Sequence, residues 1–252
     1  MGVVMKAAGL EKAYGGIPVL NHFDLSMRAG EIYGLLGVNG AGKTTFMKIL
    51  LGLQRPDRGQ ILLFGREVLR EREGLALVGS MIEMPAFYEH LCGEEILSMH
   101  LSYLNAYGGR HSAEMGVRTR AGQEEIREAL RLTGLEGAGR KPVSQYSLGM
   151  RQRLGLARAI VHRPKLLILD EPMNGLDPVG IRKMRELLKG LSGEGVSILL
   201  SSHILEEVRY MADRIGVLSG GQICREFSVA EVAGEFGKAF EDCVIDLMER
   251  RS

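Results

Sequence analysis

The residues Gly37-Val38-Asn39-Gly40-Ala41-Gly42-Lys43-Thr44-Thr45 carry the first recognisable chemistry in the chain. They fit the phosphate-binding pattern G-x-x-x-x-G-K-[ST]. Gly37, Gly40 and Gly42 allow positive φ and let backbone N–H groups approach phosphate oxygens with no Cβ in the way. Lys43 can set a compact cation on the β- and γ-phosphates of a nucleotide, and the Thr44 hydroxyl can ligate Mg²⁺. The alternative is a chance match in a glycine-rich turn, and the flanks argue against it. Residues 31–36 read as a short buried strand and 45–51 as a helix stopped by Gly52. A glycine loop between strand and helix turns several N–H groups toward one point, which is how an anion is bound.

The run Leu166-Leu167-Ile168-Leu169-Asp170-Glu171-Pro172 supplies acids to match. Its continuous apolar part marks a strand buried on both faces. Asp170 at the strand end can hold Mg²⁺ beside the phosphate loop, and Glu171 can orient or deprotonate an attacking water. A carboxylate of ordinary pKa is a weak base at pH 7, so orientation matters as much as proton removal. Two acids that merely cap the next helix are the bland alternative. Tyr14, on a turn ahead of the loop, either stacks on a purine or fills a sheet edge, and spacing alone leaves both open.

Other segments must position these groups. Residues 5–10 and 17–27 read as β segments around the turn Tyr14-Gly15-Gly16, and 60–64 and 75–81 as further strands. Helices are expected at 94–106 and 123–133, with a loop or small insertion at 107–122, and another at 147–162, stopped by Pro164. Strand and helix then alternate: helix 179–191, strand 196–200, helix 204–211, strand 214–218, and a hairpin through Ser219-Gly220-Gly221 into 222–224. Ser228 and Glu231 form a capping-box pattern ahead of a last amphipathic helix with Phe236, Phe240, Val244 and Leu247 on one face. Residues 84–88 are apolar yet contain Pro85, which fits either a loop exposing a sticky surface or a piece of core.

With 252 residues the chain is one large domain, or one domain with a subdomain. A formal net charge of +1 carries no polyanion signal, so nucleic acid is not an expected partner, and the basic cluster at 110–120 fits a solvated loop. Cys92, Cys224 and Cys243 are odd in number and lack a C-x-x-C pair, which argues against a disulfide framework or zinc site and for a reducing cytoplasm. No apolar run approaches the roughly 18 residues that span a bilayer. The N-terminus lacks the pattern of a signal peptide or a myristoylation site, so attachment to a membrane would need another chain.

Three further motifs complete a set: Tyr146-Ser147-Leu148-Gly149-Met150-Arg151-Gln152-Arg153, Asn174-Gly175-Leu176-Asp177-Pro178 and Ser201-Ser202-His203. Together with the two nucleotide motifs, and over nearly its whole length, the chain resembles the nucleotide-binding domain of the ATP-binding-cassette (ABC) transporter family. The three segments stand where that family has its signature (commonly L-S-G-G-Q), its D-loop and its switch histidine. The resemblance implies an α/β fold, a phosphate-loop NTPase of the ABC type. It implies a RecA-like core and N-terminal antiparallel β segment at 1–83 and 164–227, a helical signature subdomain inserted at 84–163, and a helical tail at 228–252.

The resemblance also implies roles. Tyr14 would stack on adenine, and Gly37, Val38, Asn39, Gly40, Ala41, Gly42, Lys43, Thr44 and Thr45 would hold the phosphates. Ser147, Gly149 and Asp177 would reach a nucleotide held by a second subunit. Thr44, Asp170 and Glu83 would serve Mg²⁺, with Lys43, Glu83, Glu171 and His203 taking part in hydrolysis. ATP and Mg²⁺ are then the cofactors. A second nucleotide-binding subunit, identical or not, and a separate transmembrane permease are the partners, with this chain on the cytoplasmic face of the membrane and the permease docked near residues 83–88 and the helical segment from about 84 to 163. Leu148 and Met150 depart from the commonest signature, which has Gly and Gln there. Glu83 stands where most of the family has Gln, as in the subgroup that exports peptide antibiotics such as bacitracin and lantibiotics. A soluble ABC ATPase acting on nucleic acid or ribosomes is the alternative, but such proteins resemble two cassettes in one chain or carry large insertions. A non-catalytic regulatory cassette is disfavoured by the presence of Lys43, Asp170, Glu171 and His203.

Overall fold

Strands that are apolar on both faces must lie between two covered layers. The computed structural model, which describes residues 2–114, 122–232 and 237–249, places them so. β1 (Val3–Tyr14) and β2 (Ile17–Arg28) form an antiparallel hairpin. β3 (Ile32–Leu36) leads through the glycine loop into α1 (Lys43–Leu50), and β4 (Arg58–Leu63) and the short β5 (Arg66–Glu67) follow. After β6 (Val78–Met81) the chain makes α2 (Gly93–Glu114), α3 (Gln123–Leu132) and α4 (Leu148–Ile160) before returning as β7 (Leu166–Leu169). Then come α5 (Pro178–Gly193), β8 (Ser197–Ser202), α6 (Leu205–Arg209) and β9 (Arg214–Ser219). β10 (Gln222–Ser228), α7 (Val229–Val232) and α8 (Lys238–Glu249) close the described chain.

One sheet is antiparallel, in the order β2-β1-β4-β5; the other runs β10-β9-β3-β8-β7-β6 and is parallel except for β10. Side chains alternate across the second sheet with period two. Tyr33, Leu35, Leu166, Ile168 and Leu199 enter the core shared with α1 and the antiparallel sheet. Ile32, Leu36, Leu167, Leu169, Ile198 and Leu200 enter the core shared with the other helices. Two glycines let helices come close on that second side. A Cβ on Gly34 would fall 1.9 Å from Val208 Cγ1 of α6, and one on Gly79 would fall 1.9 Å from the Ala159 carbonyl oxygen of α4.

The backbone departs from the sequence pattern in a few places. Residues 75–81 are not one strand: Arg72–Leu77 is a 3₁₀ turn, and extended pairing starts only where Val78 meets Leu166. The expected loop at 107–122 is helical at its start, because α2 runs through Glu114. Gly108 and Gly109 cost the helix about 1 kcal/mol each relative to Ala, which weakens without breaking it; 115–121 lie outside the described residues. The described part of the terminal segment forms α7 and α8, and 233–236, Phe236 among them, lie outside the described residues. Phe240 and Val244 are buried as the pattern requires, with the Phe240 ring edge-on to Phe227 at 5.1 Å.

Two imidazoles sit at the seam between α2, α4 and β6. His162 is buried, with Nε2 3.3 Å from the Val78 carbonyl oxygen and Nδ1 without a partner; its ring meets that of His100 edge-on at 5.7 Å. Burial lowers both pKa values to about 4, helped at His100 by the nearby His162 and Arg158. Below the ordinary value of 6.5 the unfolded chain therefore takes up protons that the folded chain refuses. This contribution to stability is whole above about pH 6.5 and is lost as pH falls toward 4. Thermal unfolding from pH 7 to 4 should show a falling midpoint, and His162→Phe should make the fall shallower. Parallel curves for the two proteins would contradict this origin.

Candidate functional site

Parallel strands that share a sheet end on the same edge, and open α/β sheets bind ligands at the carboxyl edge. Here that edge gathers the glycine loop after β3, Ser201 to His203 at the end of β8, Asp170 and Glu171 after β7, and Glu83 after β6.

The loop is shaped for an anion. Gly42 caps α1 at φ 108°, a left-handed conformation that suits glycine, and no side chain caps the helix and no acid sits in its first turn. The free N–H groups and the positive end of the helix dipole therefore stay available. Gly40 is also left-handed, at φ 85°. Gly37 is not, contrary to expectation: it is glycine for space, since a Cβ there would lie 2.7 Å from the Leu218 carbonyl oxygen. Asn39 and Gly40 are exposed, while Val38, Ala41, Thr44 and Thr45 are half-buried.

Charged groups beneath the loop form one network. Lys43 is buried; its Nζ donates to the carbonyl oxygens of Gly37 (2.7 Å) and Val38 (3.2 Å) and lies 3.3 Å from Glu171 Oε1. That last contact is an ion pair without hydrogen-bond alignment, so Oε1 remains a buried acceptor with no hydrogen bond. The other oxygen, Oε2, is 2.9 Å from His203 Nδ1. Glu171 holds a left-handed φ of 48°. This costs a non-glycine residue about 1–2 kcal/mol, and the surrounding bonds must hold it there. Asp170 is buried and accepts on both oxygens, from Thr44 Oγ1 (2.6 Å) and Ser201 Oγ (2.5 Å). A hydroxyl and a carboxylate side by side at a helix N-terminus are hard oxygen donors, the sparse set that suits Mg²⁺ when phosphates complete its shell.

The remaining sequence candidates lie apart from this network. The Tyr14 side chain is not buried in a sheet edge: it is 44% exposed, its hydroxyl pairs with Gln54, and the Lys12 ammonium lies 5.6 Å from its ring centre. Glu83 does not join Thr44 and Asp170; its Oε1 takes Lys48 Nζ at 2.6 Å, on an exposed side chain at φ 59°. Ser147 caps α4, its Oγ accepting the Met150 N–H at 3.3 Å, with Gly149 in the first turn. Asp177 caps α5 through the Gly180 N–H at 2.7 Å. Among the described residues, no hydrogen bond or ion pair joins these three to Lys43, Thr44, Asp170 or Glu171. The unusual Leu148 has a packing role: a Cβ on Gly175 would lie 2.9 Å from Leu148 Cδ2, so the first turn of α4 touches the turn before α5. Sequence reasoning passed over Lys48, and Ser201 beyond its place before His203. The signal for Ser201 was a hydroxyl directly following the apolar run Ile198 to Leu200 of a buried strand.

Comparison with known proteins places this geometry in a family. Residues 20–174, more than half of the chain, match the family described as ABC transporter. The chain is 41% identical to a bacitracin transport ATP-binding protein of Bacillus licheniformis, over 90% of this chain and 70% of that one. It is also 41% identical to a lantibiotic transport ATP-binding protein of Streptococcus pyogenes, over 88% of this chain and 90% of that one. A solved ATP-binding subunit of an ABC transporter superposes with a TM-score of 0.80 at 28% identity, over 98% of this chain and 100% of the other. A dimeric ATP-binding cassette in a post-hydrolysis state, bound to ADP and Pi, gives 0.76 at 25% identity, over 89% and 98%. The chain belongs to the ABC transporter family, as one of its ATP-binding subunits.

Proposed function

We propose that this chain hydrolyses ATP with Mg²⁺ in a two-subunit assembly and so drives a separate membrane permease, in an exporter of peptide antibiotics. The observation that carries the reading is the network joining Lys43, Glu171 and His203 beside the paired Thr44 and Asp170. The triphosphate would lie on the N-terminus of α1, where the Lys43 ammonium exchanges the Gly37 and Val38 carbonyls for phosphate oxygens. Glu83, Thr44 and Asp170 would serve Mg²⁺, which neutralises charge on the β- and γ-phosphates when bound. Tyr14 would stack its exposed ring on adenine. Glu171 accepts a hydrogen bond from the attacking water, and His203 steadies the Glu171 carboxylate and senses the γ-phosphate.

Ser147, Gly149 and Asp177 serve a different molecule in this reading. They lie at the starts of α4 and α5, not bonded to the network, and would complete the site of a second subunit while that subunit completes this one. The dimeric neighbour bound to ADP and Pi supports such an arrangement. ATP then favours the closed pair because only the closed pair contacts it from both sides.

No described helix is long and apolar enough to cross a membrane. A permease segment would dock at a groove of about 440 Å³ lined by Phe87, Tyr88, Met99, His100, Tyr103 and Arg158. Tyr88 and Tyr103 are exposed in it, and the Arg158 guanidinium lies 5.2 Å from the Phe87 ring centre. The names of the bacitracin and lantibiotic relatives support the cargo class.

Glu171→Gln should lower ATP turnover by at least about 100-fold while nucleotide still binds; unchanged turnover would refute the assignment. Glu83, once released from Lys48, is taken to tighten the dependence on Mg²⁺. Glu83→Gln should therefore shift the Mg²⁺ concentration that gives half-maximal turnover and weaken coupling to transport. If neither changes, Glu83 has no such part.

A further inference from the structure

We propose that Ser201 is a positioning residue for the metal–nucleotide complex, acting through the Asp170 carboxylate. This rests on the reading in which Thr44 and Asp170 hold the metal. Ser201 is fully buried near the end of β8, where it donates to Asp170 Oδ1 at 2.5 Å and accepts the Glu171 N–H at 2.9 Å. The direction of the first bond is settled by chemistry. An ionised carboxylate only accepts and a backbone N–H only donates, so the single hydroxyl proton must point to Oδ1. With Oδ1 anchored, Oδ2 is left toward Thr44, whose Oγ1 is 2.6 Å away. One hydroxyl thereby fixes the rotation of one acid and the backbone of the next, which sits at φ 48°. It also ties both to the strand that leads into His203, so a displacement of that strand reaches Asp170 and Glu171 together.

Ser202, the adjacent buried serine, supplies an internal control. Its hydroxyl donates to Glu207 Oε2 at 2.6 Å and accepts the Ile204 N–H at 3.0 Å, at the start of α6 and away from Asp170. Removing it deletes a pair of part-buried bonds, one donated and one accepted, without touching Asp170 or Glu171.

Binding of the non-hydrolysable analogue AMP-PNP to the purified full chain, with Mg²⁺ and with EDTA, separates the roles. Ser201→Ala should reduce the Mg²⁺-dependent gain in affinity by about tenfold, the low end of what supporting residues around a metal site contribute. Its affinity in EDTA should stay within about twofold, and Ser202→Ala should keep the full gain. Equal losses with and without Mg²⁺, or an unchanged gain, would overturn the proposal. Should Ser201→Ala not fold, Ser201→Cys fills the same space with a weak donor and is judged by the same criterion. Absence of any Mg²⁺-dependent gain in the wild-type chain, or its persistence in Asp170→Asn, would instead sink the metal reading beneath.

Discussion

A buried carboxylate has to be given donors, and the donors of Asp170 come from two other elements. Thr44 reaches it from the first turn of α1 and Ser201 from β8, while Asp170 itself directly follows β7. Leaving a buried charge unpaired costs several kcal/mol. The three elements are therefore held in one relative position by a requirement stronger than any single apolar contact. The two cores on either side of the parallel sheet bring the strand ends to the same edge, but apolar packing tolerates sliding that hydrogen bonds to a carboxylate do not. The glycine loop inherits its aim from this clamp, because α1 begins at Lys43 and Thr44 follows directly.

The same economy governs the cation. Lys43 lies almost wholly out of solvent, and its charge is met by two carbonyl oxygens and by Glu171. The Lys43 ammonium and the Asp170 carboxylate thus have interim partners within the chain, while the N–H groups at the start of α1 stay open. In the proposed reading an entering phosphate would substitute for those partners and meet a site whose dipoles are already oriented, which is the basis of electrostatic preorganisation. Glu171 is held from three sides, by Lys43, His203 and Ser201, in a conformation its backbone would not choose alone.

Much of this edge was legible in the sequence because its determinants are local. The glycine loop between an apolar run and a helix, and the run Leu166 to Leu169 ending in two acids, need no knowledge of distant contacts. What was not legible depended on neighbours far along the chain. The reason for glycine at position 37 is the Leu218 carbonyl, and the partner of Glu83 is Lys48. The role of Ser201 appears only once β7 and β8 are adjacent. The stretch 75–81 misled for a related reason, since a short apolar run looks the same whether its first half is a 3₁₀ turn or a strand. The start of 107–122 misled because two glycines weaken a helix without ending it.

In the proposed function the site is half of a whole, and Ser147, Gly149 and Asp177 would serve another molecule's nucleotide. The direct measurement is the mass of the Glu171→Gln chain in solution by light scattering, with and without ATP and Mg²⁺. A shift from one chain to two on adding ATP·Mg²⁺, abolished by Ser147→Arg, is the predicted result. A chain that stays monomeric with ATP bound, or a dimer indifferent to Ser147→Arg, would contradict it.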